Sequence, residues 1–297
     1  MIAKIARKKT LYLLTLPVVL YYLIFHYIPM FGIVIAFKTY NPILGVFASP
    51  WTGFNHFISF FQSMYFSRVV KNTLLINFLQ LVFAFPAPIL LALFLNELKS
   101  ESFKRLVQTV TYLPHFISLI VICGMVVDFV AKNGVINDVV VLLGGERANL
   151  LLNETYYRQV YLISGIWQSI GWGSIIYLAA LAGINSELYE AAEIDGAGRL
   201  KKCFHVTLPG IVPTIVVMLI LQIGSMMSEG PEKTLLLYNP TNYEVSDLIS
   251  TFVYRKGLIE NNFSYSAAVG LFNSAINFTL LVAANKASRS LTDNGLW

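Results

Sequence analysis

The residues of this chain best placed to do chemistry form one short polar island between two long apolar runs. They are Glu190-Ala191-Ala192-Glu193-Ile194-Asp195-Gly196, followed after nine residues by Val206-Thr207-Leu208-Pro209. The chemistry such a set can do is recognition. A charged loop in a strongly apolar protein is costly unless it meets water or a partner. Ala191, Ala192 and Gly196 are small enough for another surface to approach the backbone, and Glu190, Glu193 and Asp195 supply charge for that surface. Asn185 or Ser186 can cap a helix that starts near Glu187, with Glu187 and Glu190 favourable in its first turns. Gly196 can end that helix, and Pro209 suits the start of the next one.

A second candidate set lies inside the apolar runs. Gln168, Ser169 and Trp172 sit near the middle of one run; Gln222 and Ser225 sit in another, with Ser228 and Glu229 towards its far end. Polar side chains in lipid are expensive unless they face a cavity or a neighbouring helix. They can line a path for a polar solute, or they can bond one helix to another. Catalytic patterns are missing. No Gly-Lys dipeptide occurs, hence no phosphate-cradling loop of the P-loop kind, and there is no Gly-x-Ser-x-Gly elbow. His26, His56, His115 and His205 lie far apart and no His-Glu-x-x-His run exists, so no metal site is expected. Cys123 and Cys203 give no disulfide framework.

The elements that must position these residues follow from composition. Of 297 residues, 56% are hydrophobic and only 12% charged, against roughly 25% charged in an ordinary soluble domain. Mean hydropathy is +0.65. Six windows carry no charge: Thr10–Phe37, Asn72–Asn96, Leu106–Val127, Gln159–Ser186, Cys203–Ser228 and Asn261–Asn285. Each is long enough for a spanning helix, which needs about 20 residues. The chain therefore reads as an all-α membrane protein, one domain over residues 1–297. Its six helices fall near 10–37, 72–96, 106–128, 158–184, 208–228 and 262–285, and 185–208 forms a polar loop. The first window is too long for the apolar core of a signal peptide and no cleavage site follows it, so it reads as a retained helix.

Six crossings put both termini on one side. With those termini inside, residues 1–10, 96–106, 184–209 and 284–297 hold 12 of the 21 basic residues in 61 positions; the outer segments hold 9 in 95. The positive-inside rule thus places the Glu190–Gly196 loop in the cytosol. Basic residues gathered at helix ends mark topology, and the net charge of +5 is no sign of nucleic-acid binding. Trp51, Phe54, Phe57, Phe60, Phe61, Tyr65 and Phe66 suit the lipid–water interface. Asp128 reads as interfacial. Gly165, Ser169, Gly173 and Ser266, Gly270, Ser274 read as packing stripes. Pro86 and Pro88 should kink the second helix or leave backbone groups for neighbours to satisfy.

The island resembles the EAA loop of ABC-importer permeases: Glu-Ala-Ala, three residues, Gly, nine residues, a branched aliphatic, one residue, Leu-Pro. Val206 stands where that family most often has Ile. Thr111-Tyr112-Leu113-Pro114-His115-Phe116, residues 243–251, residues 263–270 and the ending Gly295-Leu296-Trp297 are similar to the oligosaccharide and polysaccharide permeases of Firmicutes. The resemblance covers nearly the whole chain. It implies the type I importer permease fold (MetI-like), in the cell membrane of a Gram-positive bacterium. It implies docking of a cytosolic ATPase by Glu190, Ala191, Ala192, Glu193, Asp195 and Gly196. It also implies a heterodimer with a second permease, two ATPase subunits that bind ATP and Mg, and an extracellular solute-binding lipoprotein that delivers an oligosaccharide. This chain would hold no cofactor of its own and touch only these partners and membrane lipid. In such permeases the helices flanking the EAA loop line the sugar path, and Gln168, Ser169, Trp172, Gln222, Ser225 and Glu229 fall at similar offsets. Amides and hydroxyls suit sugar hydroxyls, and an indole suits a sugar ring.

Two alternatives stand beside the sugar importer: an importer permease for another solute, and a non-transporting membrane scaffold, which has no reason to carry the EAA spacing. An ion-coupled carrier would need intramembrane carboxylates, and the six windows contain none. The fourth and fifth windows also hold no Lys or Arg, so an anionic substrate should draw its basic groups from the second permease.

Overall fold

The computed structural model describes residues 9–228 and 231–292. Among them the secondary structure is helical, apart from one isolated antiparallel bridge between Lys38 and Trp51. Six helices are long and apolar enough to cross a membrane: Tyr12–Phe37, Phe66–Glu97, Leu119–Leu142, Glu154–Ala182, Arg199–Ser225 and Phe263–Ser290. Lys4, Arg7, Lys8, Glu229 and the ending Gly295-Leu296-Trp297 lie outside the described residues.

The chain divides into two compact units, one of residues up to Ser63 with Val253–Phe272, the other of Met64–Phe252 with the residues from Asn273. In the first, helix α1 (Lys9–Tyr22) continues through a π turn at Leu23–Tyr27 to Phe37. Its residues from Tyr12 to Phe31 are exposed, as suits a helix that faces lipid or another chain. Beyond it, Lys38 donates from Nζ to the carbonyls of Val46 and Phe47, both at 2.9 Å. Phe37 stacks on Trp51 and meets the edge of Phe54. Trp51, Phe54 and Phe61 are exposed, but Phe60 is fully buried against Tyr265 and Phe272. The aromatic run is thus part exposed and part core.

The second unit holds α2 (Phe66–Leu79) and α3 (Pro86–Glu97), joined by a π turn at Gln80–Ala84. Next come α4 (Glu101–Tyr112), α5 (Leu119–Val130), α6 (Glu154–Ala182), α7 (Ser186–Ile194), α8 (Leu208–Ser225) and α9 (Glu232–Leu237). The final helix, α10 (Phe263–Thr292), begins in the first unit and ends in the second. Small residues let α6 pack closely. A Cβ on Gly173 would lie 2.9 Å from Pro88 Cγ, and one on Gly171 would overlap the Thr111 carbonyl. Ile89, Ala92, Tyr177, Leu181 and Ile211 close one core between α3, α6 and α8.

Two boundaries differ from those expected. The uncharged window 106–127 falls on two helices. Pro114 cannot continue α4, the chain tightens into a 3-10 turn at Leu113–Phe116, and Ser118 caps α5 by accepting from Val121 N at 3.4 Å. The fifth span also starts earlier than Pro209, at Arg199, and runs through a π turn at Cys203–Thr207. A proline ring clashes with the carbonyl four residues back. A π turn widens the backbone there. Ile28, Phe85 and Leu208, each just before Pro29, Pro86 or Pro209, donate five residues back to Leu23, Gln80 and Cys203.

Candidate functional site

The polar island folds as a free-standing helix. Asn185 caps α7, its Oδ1 accepting from Glu187 N at 3.0 Å. The far end closes with paired turn bonds, Ala197 N to the Ala192 carbonyl at 2.8 Å and Gly196 N to the Glu193 carbonyl at 3.0 Å. This closure needs a left-handed residue after the last turn, and Gly196 supplies it with φ of +74°. Nothing lies within 4 Å of the place a Gly196 Cβ would occupy, so the backbone is bare towards solvent. Glu190, Ala191, Glu193 and Asp195 are exposed and Ala192 is half-buried. Glu193 is paired with Lys202 at 3.4 Å. The loop also exposes Leu188, Ile194, Leu200 and Phe204, with Ile194 87% exposed. Acidic and apolar groups thus interleave on one exposed surface.

This face is tied to the spanning part. Tyr189 donates from its hydroxyl to Thr207 Oγ1 at 3.1 Å, and Thr207 donates to the Lys202 carbonyl at 3.3 Å. Thr207 is buried and closes the π turn that leads into α8. Movement of α7 therefore has a direct mechanical route to α8.

Within the second unit a cleft of about 470 Å³ opens between α3, α6 and α8, in the size range of small-ligand pockets, roughly 300–1,000 Å³. Gln168, Ser169 and Gln222 line it, with Gln80, Tyr161 and Tyr177. Ser169 also donates to the Gly165 carbonyl at 2.7 Å. Gly165, Ser169 and Gly173, expected as a packing stripe, do both jobs: Gly173 packs on Pro88 and all three face the cleft. Trp172 goes elsewhere. Its indole stacks on the His115 ring, centroids 4.6 Å apart, and meets the edge of Phe116. Ser225 is outside the lining and donates to the Gln222 carbonyl at 3.1 Å.

Lys233 is a lining residue that the sequence did not disclose. It belongs to an outer segment by charge pattern. However, α9 turns back into the protein, burying Thr234 and packing Leu237 against Ile122 and Cys123. The glycine at position 165, facing a long side chain, was the available signal. A basic group thus reaches the cleft from this chain itself, contrary to the expectation that only a second permease could provide one. A further polar cluster anchors residues 244–251 to α2. Arg68 bonds Glu244 at 2.7 Å and the buried Asp247 at 3.2 Å, Asn72 donates to the carbonyls of both residues, and Thr251 donates to Asp247 at 2.9 Å. No group of three or more metal-binding side chains occurs among the described residues.

The chain is similar to known proteins over nearly its whole length. The polygalacturonan/rhamnogalacturonan transport system permease protein YteP of Bacillus subtilis is 45% identical over 298 residues, covering all of this chain and 93% of its own. Protein LplB of the same organism is 44% identical, covering 99% and 93%. The crystal structure of a bacterial ABC transporter involved in import of the acidic polysaccharide alginate contains a chain that superposes with a TM-score of 0.91 at 43% identity, covering 98% of both. Residues 84–291 match the family of binding-protein-dependent transport system inner membrane components. The chain therefore belongs to that family, whose members are membrane-embedded permease subunits.

Proposed function

We propose that this chain is one permease half of a heterodimeric, ATP-driven oligosaccharide importer. Its α7 docks a cytosolic ATPase, both termini face the cytosol, and an extracellular binding protein delivers the sugar. ATP and Mg are bound, and ATP hydrolysed, by the partner ATPase subunits. Gln168, Ser169 and Gln222 contribute to a weak sugar site, with weakness required because a tightly held cargo is not released. Relatives that serve polygalacturonan/rhamnogalacturonan and alginate favour a uronate-containing cargo.

The observation that carries this reading is the Tyr189–Thr207 bond, which joins an exposed docking helix to the helix that presents Gln222. Gly196→Leu tests it. The strain of a leucine at φ +74° falls on the exposed end of α7, where there is room for the side chain, so membrane insertion should survive, whereas the docked complex has a leucine between two surfaces. Loss of ATPase co-purification with intact membrane insertion is expected. Normal sugar-stimulated ATPase activity in that variant would refute the docking role.

A further inference from the structure

We infer that the turn over residues 41–49 is a lipid-inserting wedge, which enters the outer leaflet beside the end of α1 and places Ile43 and Phe47 among the acyl chains. This rests on the orientation proposed above, with both termini in the cytosol. It concerns a surface that takes no part in ATPase docking or in the cleft. Ile43 is 92% and Phe47 97% exposed, the barest large apolar side chains among the described residues. Residues 39–63 contain no Asp, Glu, Lys or Arg. A water-facing stretch of that length with the ordinary share of about 25% charged residues would hold about six. The charge next to it, Lys38, is turned inward, its Nζ donating to the carbonyls of Val46 and Phe47 at 2.9 Å. Those carbonyls belong to the one-turn helix Gly45–Ala48, which cannot pair them itself.

The polar groups of the turn are closed on one another, as lipid demands of any backbone it surrounds. Asn41 N donates to Ser49 Oγ at 3.0 Å, and Ser49 Oγ donates to the Gly45 carbonyl at 2.6 Å. Asn41 Oδ1 accepts from Ile43 N at 2.9 Å, and the Asn41 carbonyl accepts from Leu44 N and Gly45 N. Pro42 and Pro50 have no N–H to satisfy. Polar atoms thus face inward and apolar side chains outward. The depth follows from α1. Phe37, the last residue of the first span, stacks on Trp51, and Thr39 N donates to the Pro50 carbonyl at 2.9 Å. The turn therefore begins where the span ends, at the level where an indole settles. A binding protein that must dock and leave is guided by complementary charge, and this surface offers none.

The test uses the complete transporter in proteoliposomes: both permeases, the ATPases and the binding protein. Phe47→Cys and, separately, Ile43→Cys are made in a complex otherwise free of cysteine, with Cys123→Ala and Cys203→Ala in this chain, and the new thiol carries an environment-sensitive fluorophore. Phospholipids with a nitroxide on the acyl chain should quench both positions, and aqueous iodide should lose its power to quench them. Immersion of about 5–10 Å, usual for interfacial elements, makes a nitroxide near the headgroup a better quencher than one at the chain end. Iodide quenching without nitroxide quenching would put the turn in water and overturn the assignment. Protection from both quenchers would show a protein cover, and protection from iodide that appears only with the loaded binding protein would give the turn to that protein; either result overturns it. Glu146→Cys, in the outer segment 132–158, reports sidedness. Its reaction with an impermeant thiol reagent outside right-side-out vesicles is expected. Reaction only from the inside would overturn the orientation and the outer-leaflet assignment together, while the quenching still reports whether the turn lies in lipid.

Discussion

The hydroxyl of Tyr189 donates to Oγ1 of Thr207 across 3.1 Å, linking α7, which carries the Glu-Ala-Ala sequence, to the foot of α8. Tyr189 is half-buried and Thr207 buried. The bond is therefore shielded from competition by water, which is the condition under which one hydrogen bond transmits a displacement.

Tyr189→Phe removes this bond and little else. A net contribution of about 1 kcal/mol translates into an approximately fivefold fall in binding-protein-stimulated ATPase activity. Basal ATPase activity and complex assembly should be unchanged. The comparison of stimulated with basal rates in proteoliposomes is the check; equal rates in variant and wild type would show that coupling takes another route.

The cleft residues should separate by position. Gln222→Ala removes an amide from the lining and is expected to reduce sugar uptake several-fold while capture by the binding protein stays constant. Trp172→Ala removes a ring stacked on His115, outside the cleft. Its effect should appear as lower stability of the purified protein, with uptake per folded molecule retained.

Gly171→Ala should be among the most damaging single-methyl changes in the chain. The added Cβ would overlap the backbone carbonyl of Thr111, which cannot rotate aside as a side chain can. Overpacking of this kind costs about 1–3 kcal/mol. A lowered thermal midpoint in detergent, compared with a Gly124→Ala control where the space is open, measures it.

Arg68→Ala removes two bonds from the outer polar cluster and leaves the fully buried Asp247 without its arginine. Breaking a buried pair from one side costs about 3–5 kcal/mol. Glu244→Gln alters the exposed partner, and exposed pairs contribute under about 1 kcal/mol. Thermal unfolding of the two variants should therefore differ widely, with Arg68→Ala the less stable.

Much of this was legible in the sequence because it depends on local chemistry. An uncharged window measures the length available to a helix, and five of the six windows each fall along one long apolar helix. Asn185 and Gly196 bracket α7 because capping and left-handed turns are decided by one residue each. What the sequence hid depends on path. Pro114 divides an apolar window that length alone would join. Phe60 lies in an aromatic run but turns into the core, since a run says nothing of which face each ring takes. Lys233 reaches the cleft only because α9 doubles back, a tertiary event that no window reports. Trp172 lies on the helix that carries Gln168, yet its long side chain leans to the 113–116 turn.

The three π turns that precede Pro29, Pro86 and Pro209 also have a rotational meaning. Each inserts one residue into the helical count, and one residue corresponds to about 100° of azimuth. The wide turn at Cys203–Thr207 absorbs that residue, so the Arg199–Lys202 turn and α8 keep the phase of one continuous helix. Deleting one residue there would restore ordinary winding and leave Gln222 facing the cleft, whereas deleting one between Thr207 and Gln222 would swing Gln222 by about a quarter of a circle. The π turn thus admits Pro209 while keeping the bearing of a side chain thirteen positions further along the chain.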